Sequence, residues 1–196
     1  MNYLFFAKRF LQRIWSNNEI LFLKRVANQP LQGDSNNNKV VIKLVDNNVM
    51  DCATICNPKI LVPIFKQMIN TGDLVYFGYL DGECVFYYCV KTSGSIFFDG
   101  CKVHDLDDDE YYSHYIFCAE SARGYSFQFQ ANYKIINENI DKIFYIQIKP
   151  NNFPSLHNSL KSGYEIHSLL RVRNRLFFRK LNKRVLSKQE AKKYYV

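Results

Sequence analysis

The sequence has 196 residues, enough for one domain with a substantial core, and its 47% apolar content excludes a disordered or fibrous protein. Sixteen Phe and fourteen Tyr residues favour a fold rich in β-sheet. The formal charge of +8 indicates an acidic partner, and the charge alone does not choose among nucleic acid, anionic lipid and a phosphorylated ligand. No apolar run reaches the ~18 residues that a membrane-spanning helix needs.

The beginning of the chain divides into a helix, a short strand and a connector. Residues 3–15 combine apolar side chains at helical spacing with a basic opposite face, which predicts an amphipathic helix. Residues 20–23 follow as a buried strand, and we expect the segment 1–27 to pack on the main domain. Contact of residues 3–15 with an anionic membrane surface is the alternative interpretation. Residues 28–38, rich in Asn, Gln and Gly, form a polar connector.

The main domain is predicted to span residues 39–181. In its first half the pattern predicts a helix at 58–70 and strands at 39–45, 74–80, 83–90 and 95–98. Asp81-Gly82, between two apolar runs, predicts a tight hairpin. The acidic run 105–110 is predicted to be a solvated loop.

In the second half of the domain, strands and helices alternate. The pattern predicts strands at 111–118, 143–149, 164–170 and 176–181, and helices at 126–139 and 154–162. This order indicates a mixed α/β layout with one twisted, largely antiparallel sheet flanked by helices. Residues 182–196 are predicted to be a basic, exposed C-terminal tail.

The six cysteines lie at positions 52, 56, 84, 89, 101 and 118. None belongs to a CxxC pair, so we expect no metal site. Several lie in apolar runs, where Cys behaves as a small buried hydrophobe, and a reducing cytoplasm is the simplest compartment. The N-terminus lacks the continuous apolar region of a secretory signal, which again favours a cytoplasmic protein.

Two stretches of sequence carry a resemblance to a known family. The first runs from Arg123-Gly-Tyr-Ser126 to Gln128, between a predicted strand and a predicted helix. The second is Asn152-Phe-Pro-Ser155 followed by Lys161-Ser-Gly-Tyr164. In order and spacing they resemble the GNAT acyltransferase superfamily, over roughly residues 74–180.

The resemblance implies a GNAT-like α/β (α+β) fold and acetyl-CoA or another acyl-CoA as co-substrate. In that family, backbone N–H groups of the first stretch and the N-terminus of the next helix receive the pyrophosphate. The Asn of the second stretch is expected beside the pantetheine arm. The cofactor-binding residues implied here are Arg123, Gly124, Tyr125, Ser126, Asn152 and Ser155.

Three positions depart from the family pattern. Ser126 stands where the family has the first glycine after the Arg-Gly, and a serine can itself donate to phosphate. Gln128 stands where the family has Gly or Ala, and Ser159 stands where many members have a Tyr that protonates the departing thiolate. Glu120 and His114 are the candidate general bases, since they lie at the end of, or on, the strand that leads to Arg123. His157 is a candidate replacement for the missing Tyr.

The resemblance implies an acyl-CoA-dependent N-acyltransferase, with a primary amine attacking the thioester directly in a ternary complex. The basic N-terminal helix and strand resemble those of acyltransferase-like proteins from bacterial surface-polysaccharide clusters. That likeness implies an amino sugar, free or linked to a nucleotide, as the acceptor.

Two other functions are compatible with the sequence. Gln128 and Ser159 favour a GNAT-fold binding module without catalysis. A basic stripe with Phe177 and Phe178 nearby favours a nucleic-acid-binding protein, although no RNP, KH, zinc-finger or helix-turn-helix signature accompanies it. We therefore do not expect a nucleic-acid partner. The stripe consists of Arg171, Arg173, Arg175, Arg179, Lys180, Lys183 and Arg184.

Overall fold

The computed structural model of the chain describes residues 17–26, 28–32, 39–46, 49–175 and 178–195. The predicted helix 3–15 lies outside these residues. The strands are Asn17–Val26 (β1), Val40–Leu44 (β2), Leu74–Leu80 (β3), Glu83–Lys91 (β4), Gly94–Phe98 (β5), Cys101–Leu106 (β6), Glu110–Cys118 (β7), Ile143–Ile148 (β8), Glu165–Arg175 (β9) and Phe178–Val185 (β10). The α-helices are Pro58–Asn70 (α1), Phe127–Glu138 (α2), Phe153–Lys161 (α3) and Lys188–Ala191 (α4). Short 3₁₀ turns occupy Val49–Thr54, Glu120–Ala122 and Lys192–Tyr194.

Eight strands form one sheet in the order β10-β9-β1-β8-β7-β4-β3-β2. Neighbouring strands are antiparallel except β7 and β8, which run parallel. The predicted α/β class, with a mostly antiparallel sheet flanked by helices, is confirmed. The hairpin predicted at Asp81-Gly82 joins β3 to β4, and both turn residues have positive φ, as a two-residue hairpin turn requires.

The N-terminal strand is a central strand of the sheet. β1 pairs with β8 on one side and with β9 on the other. Leu21 and Leu23 are fully buried as a result. The sequence analysis placed this strand in a segment that packs on the domain, because its partners are more than 100 residues away and no local pattern reveals them. The strand is also longer than the predicted 20–23.

Helices cover both faces of the sheet. α2 and α3 pack on one face over a cluster that includes Phe86, Phe127 and Phe144. α1 packs on the opposite face, where Phe65 is fully buried against Phe77 and Tyr87. Both faces of the central strands are therefore buried, which explains their continuous apolar runs.

The small hairpin β5–β6 covers the face shared with α1, over Phe22 and Tyr145. The sequence analysis predicted a solvated loop at 105–110, which is wrong for Glu110: this side chain begins β7 and is buried. Its carboxylate accepts hydrogen bonds from the Tyr145 hydroxyl at 2.6 Å and from His104 Nε2 at 2.5 Å. Burial opposes ionisation of Glu110, but these hydrogen bonds outweigh it and lower its pKa.

Within the described residues, no helix combines the length and the apolar character needed to cross a membrane.

Candidate active site

The sheet splits where its two parallel strands diverge. β7 and β8 pair only from Glu110 opposite Ile143 to Ser113 opposite Ile146. Beyond Ser113, β7 continues to pair with β4, while the end of β8 pairs with β1. Two half-sheets therefore separate toward the carboxyl ends of β7 and β8. An opening between parallel strands at their carboxyl ends is a common position for a ligand in α/β folds.

A β-bulge lies on β7 at this opening. Tyr115 and Ile116 together face Tyr88 of β4, because Phe117 pairs with Tyr87 and His114 pairs with Cys89. Tyr115 has φ of 51°, a left-handed conformation that is rare for an aromatic residue. A bulge leaves its extra residue outside the ladder and re-aims the neighbouring side chains, and bulges are frequent beside active sites.

The loop that follows β7 leads into an uncapped helix. Gly124 has φ of 95° and Ser126 has φ of 58°, so the backbone turns sharply before α2. Ser126 is the N-cap residue of α2, yet its side chain makes no capping hydrogen bond. The N–H groups of the first helical turn have no acceptor within the helix. Together with the positive end of the helix dipole, they form a site suited to a phosphate group.

A cleft of about 490 Å³ runs from this loop to α3. Gly124 and Ser126 line one side, and Phe153, Pro154 and His157 line the other. Asn152 immediately precedes this wall and caps α3, since its Oδ1 accepts the Ser155 N–H at 3.4 Å. The structure thus brings the two predicted stretches to opposite walls of one cleft.

The remaining predicted cofactor residues surround this cleft without lining it. Arg123 is 67% exposed and its guanidinium lies 3.2 Å from the carboxylate of Glu120. Tyr125 packs against the core beneath the loop, and its carbonyl accepts a hydrogen bond from Gln130 at 3.1 Å. Ser155 lies in the first turn of α3, where its backbone N–H is used by the cap.

Two of the departures from the family pattern, Gln128 and Ser159, contact each other. Gln128 Nε2 donates a hydrogen bond of 3.2 Å to Ser159 Oγ, and both side chains are buried between α2 and α3. Gln128 is larger than the Gly or Ala of the family pattern, and Ser159 is smaller than the Tyr, so the smaller residue in α3 leaves room for the larger one in α2. Ser159 is fully buried, so it is closed to a ligand in the cleft. This pairing was not foreseen from the sequence, where the two residues are 31 positions apart.

We expect Gln128→Ala and Ser159→Ala to be energetically coupled. Each single variant should lower the free energy of unfolding by about 1–2 kcal/mol, since it leaves one buried polar group without its partner. The double variant should cost less than the sum by ~0.5–1 kcal/mol or more, because the second change removes the group that the first left unsatisfied. Urea unfolding of the four proteins measures the coupling. Strict additivity would show that the two side chains do not depend on each other.

A buried polar network extends this contact between α2 and α3. Asn132 of α2 accepts a hydrogen bond from the Tyr88 hydroxyl at 2.7 Å and donates one to Ser162 Oγ at 2.9 Å. Ser162 Oγ in turn donates to the Asn158 carbonyl at 2.8 Å. These residues hold α3 against α2 and so fix the width of the cleft. The sequence contained one sign of this network, an Asn on the apolar face of a predicted helix, and it was not recognised.

His114 lies on the other face of the sheet, at the point where the strands diverge. It lines a cavity of about 390 Å³ together with Asp73, Lys91, Ser93 and residues of α1. Its Nε2 is buried without a hydrogen-bond partner. Burial and the nearby charge of Lys91 lower the pKa of His114 to about 4, so the imidazole is neutral at pH 7.

The two candidate bases therefore occupy different places. Glu120 is 85% exposed and forms its ion pair with Arg123 at the rim of the loop. His114 is enclosed on the opposite face. Within the described part of the chain, no group of three or more His, Cys, Asp or Glu side chains is arranged to hold a metal ion.

Comparison with solved structures identifies the fold. A glucosamine N-acetyltransferase region of a fungal multi-domain β-N-acetylglucosaminidase superposes with a TM-score of 0.58 at 10% identity, over 87% of this chain and 23% of that one. A GCN5-related N-acetyltransferase from Sphaerobacter thermophilus gives 0.58 at 8% identity, over 92% and 57%. A tandem GNAT protein of clavulanic acid biosynthesis gives 0.55 at 8% identity, over 95% and 60%. The chain has the fold of the GCN5-related N-acetyltransferases, and it spans less than two thirds of each of these proteins.

At such identities the likeness establishes the fold alone. No protein-family model matches the sequence, and a search of curated proteins finds no match either.

Proposed function

We propose that the protein is an acyl-CoA-dependent N-acyltransferase. The observation that carries this proposal is the position of the uncapped N-terminus of α2 and of Gly124 beside the opening between β7 and β8. A phosphate-binding turn and an opening between strands are the two features that a long, anionic thioester substrate needs. The fold shared with the GCN5-related N-acetyltransferases supports the same function.

Acyl-CoA supplies the acyl group as an activated thioester when it is bound. In the proposed complex, the N–H groups after Gly124 bind the pyrophosphate and Arg123 contributes a positive charge. Asn152, at the start of α3, flanks the pantetheine arm. The backbone at the Tyr115–Ile116 bulge lies beside the opening, where its N–H groups would polarise the thioester carbonyl.

The acceptor amine would approach from the opposite face, where His114 lines the cavity of about 390 Å³ beside α1. With a pKa of about 4, His114 is a weak base but remains neutral at pH 7. Its imidazole lines this cavity, and a turn of the ring would bring Nε2, which is buried and unpartnered in the free protein, within reach of the attacking amine. The amine becomes far more acidic once the C–N bond forms, so a weak base suffices at that stage. Glu120 is the second candidate base, at the rim of the loop.

An amino sugar, free or linked to a nucleotide, is the acceptor class we propose. Tyr115 and Phe117 both stack on Tyr87 and remain 45% and 38% exposed. Tyr115 lies next to His114, and the rings of Tyr115 and Phe117 offer apolar surface on which a ring-shaped acceptor can pack. The description of one neighbour as a glucosamine N-acetyltransferase region adds support by analogy.

Binding of CoA to the full chain tests the proposal first, by calorimetry and by thermal shift. Release of free thiol from acetyl-CoA then tests catalysis, with glucosamine, a nucleotide-linked amino sugar, lysine and a polyamine as acceptors. We expect CoA to bind and thiol release to require one of the amines. Absence of any CoA effect at millimolar concentration would contradict the proposal. Stabilisation by an oligonucleotide instead would favour a nucleic-acid-binding protein.

A CoA-binding module without catalysis is the second candidate function. The buried Ser159 favours it, because the position that carries a proton donor in many family members is here closed by Gln128. CoA binding without thiol release for any amine would support this candidate. His157 lines the cleft and is the candidate replacement donor. Loss of thiol release in His157→Ala, with CoA binding retained, would assign it that role.

A further inference from the structure

A second cavity, which the acyl-transfer proposal does not use, lies at the other end of the sheet. It has a volume of about 600 Å³ and is enclosed by the ends of β1, β9 and β10 and by the C-terminal turns 188–195. Val26 lines this cavity and pairs with Ile143, the first residue of β8. The opening between β7 and β8 lies beyond Ile146, toward the other end of β8. We call this second cavity the basal pocket.

Arg25 brings a positive charge to the wall of the basal pocket. Its Nη1 donates to the Ser162 carbonyl at 2.9 Å and its Nη2 to the Gln29 carbonyl at 3.1 Å. Its Nε is buried without a partner, and burial lowers its pKa. Among the described residues, no carboxylate forms an ion pair with it. Carbonyl oxygens satisfy hydrogen bonds but leave the charge of a partly buried guanidinium uncompensated, which is costly unless an anion lies nearby.

The other charged groups of the pocket have mostly the same sign. Lys188 and Lys192 line it from the C-terminal turns, and Lys24 lines it from β1, where its Nζ lies 5.7 Å from the centre of the Tyr145 ring. Among the described residues, Glu165, which pairs with Lys24 across the strands, is the single carboxylate in the lining. His167 also lines it, with Nδ1 buried and unpartnered. Burial, and secondarily the charges of Lys183 and Lys24, lower the pKa of His167. Cations outnumber carboxylates in this lining, which favours an anionic ligand.

The rest of the pocket wall is apolar. Val26, Ile166 and Leu186 contribute aliphatic surface, and Tyr195 contributes an aromatic ring that is 45% exposed. The volume is that of a site for a small organic molecule and is far larger than a bare ion requires. The surface therefore suits a ligand with a charged end and an apolar or aromatic body.

We propose that the basal pocket binds a phosphorylated small molecule, whose phosphate contacts the Lys188 and Lys192 ammonium groups and whose apolar body packs against Tyr195. A phosphate monoester carries about two negative charges at neutral pH, so it gains more from several cations in one lining than a single carboxylate does. The site is separate from the cleft beside Gly124. Its test does not depend on acyl transfer.

Phenyl phosphate is the probe for this site, because it joins a phosphate to an aromatic ring. Calorimetry or ligand-detected NMR on the full chain should show saturable binding that is tighter than that of inorganic phosphate. The double variant Lys188→Ala/Lys192→Ala should weaken it about tenfold or more, through loss of two charge-assisted contacts. Lys180→Ala/Lys193→Ala is the matched control: it removes the same charge from exposed lysines that do not line the pocket, and it should bind as the wild type does.

Two further measurements distinguish the basal pocket from the cleft beside Gly124. One uses the Arg123→Ala variant, and the other adds CoA to the wild type. Neither should change the binding of phenyl phosphate by more than about twofold. Equal losses in the two double-lysine variants, or displacement of the probe by CoA, would overturn the proposal. So would an absence of saturable binding at millimolar phenyl phosphate. Binding only to phosphatidic acid vesicles, weakened equally by both double variants, would assign these charges to a membrane surface and would also overturn it.

Discussion

Gly124→Ala is expected to weaken CoA binding about tenfold while leaving the fold intact. Gly124 has φ of 95°, which an L-residue adopts only at a cost of ~1–2 kcal/mol. A Cβ at this position meets no atom within 4 Å, so the cost comes from the backbone and not from a clash. Because the loop is exposed, it can relax in the free protein. CoA must then restore the strained turn, and 1.4 kcal/mol corresponds to a factor of ten.

Gly82→Ala is the matched control for this change. Gly82 has φ of 89° in the β3–β4 hairpin turn, and a Cβ there also meets nothing within 4 Å. This variant should lose a similar ~1–2 kcal/mol of stability, because the hairpin constrains the turn, and should keep its CoA affinity. Calorimetric titration of both variants with CoA, beside their urea unfolding curves, makes the comparison. Equal CoA affinities in the two variants would exclude Gly124 from the binding site.

His114→Gln is expected to remove a large acid-dependent loss of stability. In the unfolded chain this His has its ordinary pKa of 6.5, whereas in the native protein the pKa is about 4. Between pH 6.5 and 4 the unfolded state therefore binds more protons, and stability falls as the pH falls through this range. At 1.36 kcal/mol per unit, the loss attributable to His114 approaches ~3 kcal/mol at pH 4. At pH 7 the group is neutral in both states and contributes none of it.

The measurement is the free energy of unfolding from pH 7.5 to 4 for the wild type and the variant. The difference between the two curves isolates the contribution of His114 from those of the other titrating groups. His157→Gln, a change of an exposed imidazole on the other face, should retain the slope of the wild type. Parallel curves for wild type and His114→Gln would contradict burial of a neutral imidazole at the opening of the sheet.

The burial of His114 also affects its proposed role in acyl transfer. A His that is neutral far below pH 7 accepts a hydrogen bond over the whole physiological range, so acyl transfer should not lose this acceptor on mild acidification. Glu120 has no such enclosure, because its carboxylate is mostly exposed and paired with Arg123. The two candidate bases lie close together in the sequence, but one is buried and the other is exposed, and this difference sets which of them stays neutral.

Local patterns predicted most of the individual elements. The helix Pro58–Asn70 has the predicted bounds, since Asn57 caps it and Pro58 suits its first turn. Asp81-Gly82 specified its hairpin through positive φ at both positions. β6 and Glu110 were missed because the acidic run around them suggested exposure. The buried carboxylate is stabilised by Tyr145, which is 35 residues away and unrelated to it by any local pattern.

The sequence by itself determined the fold class and the two stretches that form the walls of the cleft, because backbone conformation at Gly124 and capping at Asn152 depend on residues within a few positions. The tertiary structure alone decided that β1 enters the centre of the sheet, that Gln128 meets Ser159, and that cations from β1 and from the C-terminal turns line the basal pocket. Each of these depends on contacts between residues far apart in the chain. The burial of a side chain and the net charge around a site depend on residues that are distant in the sequence. A local sequence pattern therefore does not reveal either property.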